Sequence, residues 1–188
     1  PVTFIRNLTG NSMAVMSNLV ERPLAGTVDF MRASVTGTPQ ERLIGEAAAN
    51  SYGMWSGIKT GARDAVDVIL NERSMKGFGS EFATQGGAIP GALGKAVRLP
   101  FRILDGTDTF FKTILGHGEL NRLAYRQAAE EGLTGGARAK RIEQIMAAPT
   151  DEMLDAAINI SREFTYQDKL GGAMGKVQQV INQKDSVG

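Results

Sequence analysis

Apolar residues recur along this chain at spacings of three and four positions, and the pattern resumes after each break at glycine or proline. Such spacing places apolar side chains on one face of an α-helix. No run of four to eight residues alternates apolar and polar side chains as a half-buried strand does. We therefore expect an all-α fold of seven or eight helices, arranged as an elongated or loose bundle.

The clearest helical pattern covers residues 38–73. Thr38 is a good N-cap, Pro39 suits the first helical position, and Glu41 completes a capping box. An apolar seam with coiled-coil spacing follows, comprising Ile44, Ala48, Ser51, Trp55, Ile58, Ala62, Ala65 and Ile69. A stripe of small residues recurs at intervals of four, comprising Gly45, Ala49, Gly53, Gly57, Gly61 and Ala65. We call these two sets the apolar seam and the helix-packing stripe.

The helix-packing stripe has three interpretations. Small side chains allow a second helix to approach closely, either within the fold or from another subunit, and similar ladders occur in membranes. Charged residues such as Glu46, Lys59 and Arg63 argue against a membrane-spanning helix. Each glycine inside a helix costs about 1 kcal/mol relative to alanine, which close packing would offset. We therefore expect helix packing, within the chain or between chains.

The remaining helices are predicted from periodicity and from their end signals. Short helices are expected at 13–22, stopped by Pro23, and at 24–34. Another is expected at 90–98, interrupted by Pro100, and a long one at 108–131 with Gly132 as its C-cap. The last three are expected at 137–148, at 151–167 behind the N-cap Thr150, and at 173–182. The chain thus divides into an N-terminal arm (1–37), the long helix (38–73), a glycine-rich linker (74–88) and a helical domain (89–188).

Composition removes several classes of function. The chain has 188 residues and a formal net charge of +1, without the basic excess of a dedicated nucleic-acid binder. It contains no cysteine and one histidine, which excludes disulfides, thiolate–zinc sites and thiol catalysis, and leaves little for a histidine-based metal site. We expect no cofactor and no enzymatic activity.

Three patterns suggest chemistry at first sight. The glycine-rich stretch before Lys95 lacks the glycine spacing and the hydroxyl of a phosphate loop. His117 and Glu119 have the spacing of a zinc deaminase motif, but that chemistry needs cysteine ligands, so we expect a solvent-facing or helix-bend histidine. Paired carboxylates such as Asp105 and Asp108 are explained by solvated helix faces and caps.

Two small basic ridges are candidates for non-specific phosphate contact with DNA. They comprise Lys95, Arg98 and Arg102, and Arg138, Lys140 and Arg141. Ordinary surface solvation is the favoured interpretation, because acidic residues neighbour both ridges and the net charge is balanced. Any DNA binding through them should be weak, independent of sequence and lost at high salt.

A family resemblance is carried by the second half of the chain, over about residues 86–182. The residues are the run 89–104 (IPGALGKAVRLPFRIL), then 108–112 (DTFFK), Glu119-Leu120, 124–126 (AYR), 164–166 (FTY) and Leu170-Gly171. This pattern resembles the large polyvalent-protein-associated domains of very long bacteriophage proteins. The resemblance implies a helical region of a chain that travels inside the capsid and enters the host with the genome. It offers no catalytic residues.

The expectation for function follows from this resemblance. The chain would be a structural protein of the virion interior, assembling near the portal and ejected with the DNA into the host envelope or cytoplasm. Its partners would be portal, core or tail components and copies of itself, with non-specific DNA contact and with membrane contact only during ejection. Two alternatives stay open: a host-directed effector such as a defence inhibitor, and a helical enzyme domain whose active site lies elsewhere in a longer chain.

Overall fold

The described residues of the chain fold into α-helices, as the periodicity predicts. The computed structural model describes residues 2–38, 44–71 and 91–165. Within them the helices are α1 (Val2–Thr36), α2 (Ile44–Asn71), α3 (Gly91–Glu130), α4 (Gly135–Ala147) and α5 (Asp151–Thr165). Helix α3 packs against each of the other four, and α1 also contacts α2 and α5. The all-α class is confirmed, and α3 is the central element.

The first helix corrects the prediction of two short helices separated by Pro23. Helix α1 runs without a break from Val2 to Thr36 with Pro23 inside it. A proline in a helix removes one backbone hydrogen bond but does not always end the helix. Here Leu19 packs against the core and Arg22 reaches Glu119 on α3, so tertiary contacts hold the helix at this point. Helix α1 ends at Gly37, whose positive φ and hydrogen bond to the Ala33 carbonyl form an αL cap.

The central helix corrects a second predicted break. Helix α3 is continuous through Pro100, where two helices, 90–98 and 108–131, were expected. Its C-terminus has the predicted form: Gly132 adopts positive φ, and the amides of Gly132 and Leu133 donate to the carbonyls of Ala129 and Ala128. This is a Schellman cap.

The expected number of helices is therefore too high in the described part of the chain, because two predicted pairs are each one helix. Among the described residues there are five helices. Three predicted features lie outside the described residues. They are the helix 173–182, the glycine-rich linker 74–88, and Pro39 and Glu41 of the capping box. The N-cap of α5 is confirmed, since the Met153 amide donates to Thr150 Oγ1 at 3.3 Å.

The apolar core is small and lies where α1, α2 and α3 meet. Met54, Ile114 and Leu115 are buried at its centre, and Val15, Leu19, Phe110 and Phe164 pack against them. Elsewhere the buried apolar residues are Val68, Phe111, Leu120 and Ile145, together with the fully buried alanines Ala124, Ala128 and Ala157. Close contacts at glycines and buried polar contacts add to this apolar packing.

Candidate functional site

The helix-packing stripe of α2 faces α3 of the same chain. Gly53, Gly57 and Gly61 are buried there. A Cβ added at Gly57 would lie 2.9 Å from the His117 Cβ, and one added at Gly61 would lie 2.9 Å from the Phe110 carbonyl oxygen. Real Cβ atoms do not approach neighbours this closely, so both positions need glycine for the observed packing.

The contacts at the two ends of the helix-packing stripe show how α2 is oriented relative to α3. Gly45 lies beside the Tyr125 hydroxyl, and Ala65 presents its backbone carbonyl to Gly106. Residues early in α2 therefore meet residues late in α3, and the helices run antiparallel. Ala49, like Gly45 and Ala65, is half-buried.

Helix α3 contributes small residues of its own that sequence reasoning missed. A Cβ at Gly106 would lie 2.6 Å from Ile69, and a Cβ at Gly118 would lie 2.5 Å from Met54. Helix α3 continues through Gly118, and the Met54 side chain uses the space beside it. At this interface, glycines of α2 make room for α3, and glycines of α3 make room for side chains of α2.

The apolar seam of α2 faces mostly away from this interface. Ile44 and Ile58 are exposed, and Trp55 retains 75% of its accessible surface. Ile69 is the member that is covered, by its contact with the Gly106 position. Helix α2 therefore buries the glycines of its packing stripe together with Met54 and Val68, and it exposes Ile44, Trp55 and Ile58.

Five charged side chains form an ion-pair network between α1, α2 and α3. Glu119 accepts hydrogen bonds from Arg22 at 2.8 Å and from Arg122 at 2.6 Å. Glu46 accepts from Arg122 at 2.9 Å and from Arg126 at 2.9 Å. Both carboxylates are buried, and the arginines lie partly exposed above them. Arg122 joins the two carboxylates and so connects the three helices through one guanidinium group.

The electrostatics of Glu119 and Arg122 favour their charged forms. Burial disfavours the charged form of Glu119, but the hydrogen bonds and positive charges of Arg122 and Arg22 outweigh burial and lower its pKa below the ordinary value. Burial likewise opposes the charge of the arginine, while Glu119 and Glu46 raise the pKa of Arg122. These two groups are therefore charged at neutral pH.

Nothing in the sequence analysis identified this network. Glu46 was interpreted only as a charge unfavourable in a membrane, although it is buried and paired. The spacing of Glu119, Arg122 and Arg126 on one helix face was the available signal, since residues three and four apart share a face. Their partners on α1 and α2 are remote in sequence and could not be read from that spacing.

Besides the ion-pair network, α3 carries a second group of buried polar residues. Thr109 and Thr113 are fully buried, and Lys112 is 1% exposed with its Nζ 2.8 Å from Asp108 Oδ2. Asp105 is also buried, which corrects its interpretation as part of a solvated acidic face. Thr113 reaches across the interface and donates to Asp64 at 3.3 Å.

His117 lies in the α2–α3 interface beside Gly57, rather than facing solvent as expected. Burial lowers its pKa, and the nearby Asp64 carboxylate only partly offsets this effect. The imidazole is therefore mostly neutral at pH 7, and the His117 Cβ packs closely against Gly57.

Four of the six predicted phosphate contacts have described side chains: Arg102, Arg138, Lys140 and Arg141. Arg102 is only 5% exposed, so its side chain cannot meet DNA, and that prediction is wrong. Arg138 donates to the Tyr125 hydroxyl at 2.6 Å and to the Leu133 carbonyl at 2.7 Å. Arg141 pairs with Glu131 at 2.8 Å, while Lys140 is exposed. The side chains of Lys95 and Arg98 lie outside the described part.

Large apolar side chains of α1 are exposed along the length of the helix. They are Ile5, Leu8, Met16, Val20, Leu24, Val28, Phe30, Met31 and Val35. Polar residues of the same helix, Asn11, Asn18 and Asp29 among them, are buried. We call the exposed side chains the α1 apolar surface. Val15 and Leu19 of this helix pack against the core, so α1 has apolar residues both inside and outside.

Comparison with protein-family models, with curated proteins and with solved structures finds no match to this chain. Among the described residues no group of histidine, aspartate and glutamate is arranged to hold a metal ion. None of the helices described combines the length and apolar character that crossing a bilayer requires. The candidate functional feature is thus the pair of outward apolar faces on α1 and α2.

Proposed function

We propose that this chain is a structural module of an internal bacteriophage virion protein, which assembles near the portal and leaves the capsid with the genome. The observation that carries the structural role is the outward direction of the large apolar residues on α1 and α2. Exposed apolar surfaces of this extent are typical of association sites. Assembly with other virion proteins or with further copies would cover them.

The interior of the module supports the same role. Glycine contacts and an ion-pair network hold α1, α2 and α3 together. The buried carboxylates of the network pair with arginines of the same chain. Such an interior fixes helix positions and leaves the outer faces free to bind partners. The mechanism we propose is mechanical: stacking of helices in the particle, then release during ejection.

The bacteriophage context rests on the sequence resemblance. Several of the residues that carry it, including Arg102, Thr109, Lys112 and Glu119, are buried along α3. Their contribution is to the packing of the central helix, which suits a resemblance in architecture without catalytic residues. The resemblance and the exposed surfaces are independent observations that favour one function.

Mass spectrometry of purified particles tests this function. Peptides of the chain should be present in full particles and depleted from particles emptied of DNA, in constant ratio to the portal protein before ejection. Absence from full particles, with synthesis of the chain early in infection, would overturn the virion role and favour the host-directed effector.

A further inference from the structure

The exposed side of α2 forms one continuous face. Its members follow one another at steps of three and four residues and are all exposed: Ile44, Ala48, Tyr52, Trp55, Lys59, Ala62, Val66 and Leu70. At about 100° per residue, their directions around the helix axis lie within about 80° of one another. The buried Gly53, Gly57 and Gly61 lie on the other side, against α3. We call these exposed residues the α2 outer face, which is about 39 Å long at 1.5 Å per residue.

We propose that the α2 outer face binds the same face of a second copy of this chain, in antiparallel orientation about a two-fold axis at the level of Gly57. Residues equally far from position 57 in the sequence then lie opposite each other. The resulting pairs are Ile44 with Leu70, Ala48 with Val66, Tyr52 with Ala62, and Trp55 with Lys59. A two-fold contact must be self-complementary, and this register gives every member of the face an opposite member.

The opposing side chains also complement each other in size. Tyr52 lies opposite Ala62, and Val66 lies opposite Ala48, so a bulky side chain meets a small one in both pairs. Tyr52 and Trp55 retain 68% and 75% of their accessible surface, so the four rings of a dimer have roughly 500 Å² left to bury. With the exposed aliphatic side chains of the face the total reaches about 1,000 Å², which is the size that a specific interface needs.

Charge complementarity selects the antiparallel orientation. Lys59 is the charged member of the α2 outer face, and within the described part of the chain it has no ion pair or hydrogen bond. In the antiparallel register its ammonium group lies opposite the indole ring of the partner copy's Trp55, and this contact occurs twice. A cation is attracted to the electron-rich face of an indole ring. In a parallel pair in register, equivalent residues meet, so the two Lys59 ammonium groups would repel each other.

Tryptophan fluorescence tests whether this face is covered, because Trp55 is the single tryptophan of the chain. On dilution of the full chain, its emission should move to longer wavelength as the ring becomes exposed to water. The midpoint should agree with the dissociation constant from sedimentation equilibrium. A dimer whose emission does not change on dilution would have its interface elsewhere, and a chain that is monomeric throughout would have no such interface; either result overturns the proposal.

Cysteine cross-linking tests the orientation, since the chain has no cysteine of its own. Ala48→Cys and Val66→Cys chains, each otherwise full length, would be treated with a short bis-maleimide separately and as a mixture. The antiparallel pair predicts cross-linked dimer in the mixture and little in either chain alone. Cross-linking within each single variant would indicate a parallel pair, and no cross-linking above the level of the collision control would mean no pairing; either result overturns the proposal. The collision control is Lys140→Cys on α4.

A charge placed in the face tests the location of the interface, measured by sedimentation equilibrium. Tyr52→Asp should raise the apparent dissociation constant of the dimer at least tenfold. Val28→Asp, in the α1 apolar surface, changes a side chain of nearly equal exposure, 66% against 68%, and should leave the constant unchanged. Unchanged circular dichroism in both variants shows that folding is intact. Loss of the dimer with Val28→Asp alone would move the interface to α1 and overturn the proposal.

The inference deepens the proposed function, on which it rests for its place in the particle, because it names a second copy as a partner that covers an exposed face. The two proposals fail separately. Cross-linked antiparallel dimers of a chain that is absent from virions would keep this inference and overturn the virion role. A chain that is present in virions but stays monomeric in these experiments would do the reverse.

Discussion

At Gly57 the backbones of α2 and α3 lie so close that any side chain would displace a neighbour. The added Cβ would meet the His117 Cβ at 2.9 Å and the Ile114 Cα at 3.2 Å. The second of these atoms belongs to the backbone and cannot rotate away. Residues of this kind determine the distance between the two helices.

Gly57→Leu should therefore destabilise the fold by about 1–3 kcal/mol, the usual cost of overpacking a tight site. Thermal unfolding followed by circular dichroism measures this. Ala62→Leu, at an exposed position of the same helix, is the matched control and should change stability little. A Gly57→Leu protein that melts like the wild type would show that the glycine contacts are not needed for packing.

Some of this residue-scale picture could be predicted from the sequence. The helix-packing stripe follows from spacing alone, because four glycines at intervals of four or eight residues share a helix face. Its partner could not be predicted, since nothing local distinguishes packing within the chain from packing between chains. The ion-pair network was missed for a related reason: Glu46 and its arginine partners are 76 and 80 residues apart.

Glu119 carries the second prediction at this scale. Glu119→Gln would leave Arg22 and Arg122 with a neutral partner, at an expected cost of about 3 kcal/mol at pH 7. Glu130→Gln, on an exposed position of α3, is the control and should cost little. Chemical denaturation of the three proteins gives the comparison.

The pH dependence of that difference has a definite sign. The pKa of Glu119 is lowered in the folded state from an ordinary value of 4.5, so the unfolded chain binds the proton first on acidification. The stability that the carboxylate contributes is fully present above pH 4.5 and is lost as the pH falls towards the lowered pKa. The gap in unfolding free energy between wild type and Glu119→Gln should narrow over that range. A gap independent of pH would contradict the account.

At the scale of elements, the structure differs from the sequence prediction at two prolines. Pro23 and Pro100 were expected to end helices, because the ring removes an N–H donor and crowds the preceding turn. Both helices continue through them. The sequence supplies the local cost of the proline, but at Pro23 it does not supply the tertiary contacts of Leu19 and Arg22 that hold the helix there. Where the local signal has no competitor, as at Gly132 and Thr150, the predicted ends are confirmed.

Pro23→Ala tests the continuity of α1. If the helix passes through residue 23, alanine restores a backbone hydrogen bond and should stabilise the protein, by up to about 3 kcal/mol, with slightly higher helicity. Melting temperature and circular dichroism report both effects. A chain that breaks at this point would gain neither, and an unchanged melting temperature would contradict a continuous α1.

At the scale of the whole molecule, the distribution of large apolar side chains between the inside and the outside determines the tendency of the chain to associate. The inner faces combine apolar, polar and glycine residues, and most of the large apolar side chains of α1 and α2 are exposed. An apolar surface excluded from water on association lowers the free energy of the associated state. The fold class and the two faces of α2 could be derived from periodicity, but the outward direction of α1 could not. Its outer apolar residues have the spacing of an ordinary core-facing stripe.

The central claim is that these outer faces are association surfaces, and the concentration dependence of thermal unfolding tests it most directly. If folded chains associate and unfolded chains do not, the melting temperature must rise with protein concentration. For a dimer of this size we expect a rise of about 4 °C over a hundredfold range, with strongly helical circular dichroism throughout. A chain that stays monomeric at every concentration, with one sharp melting temperature independent of concentration, would contradict the account.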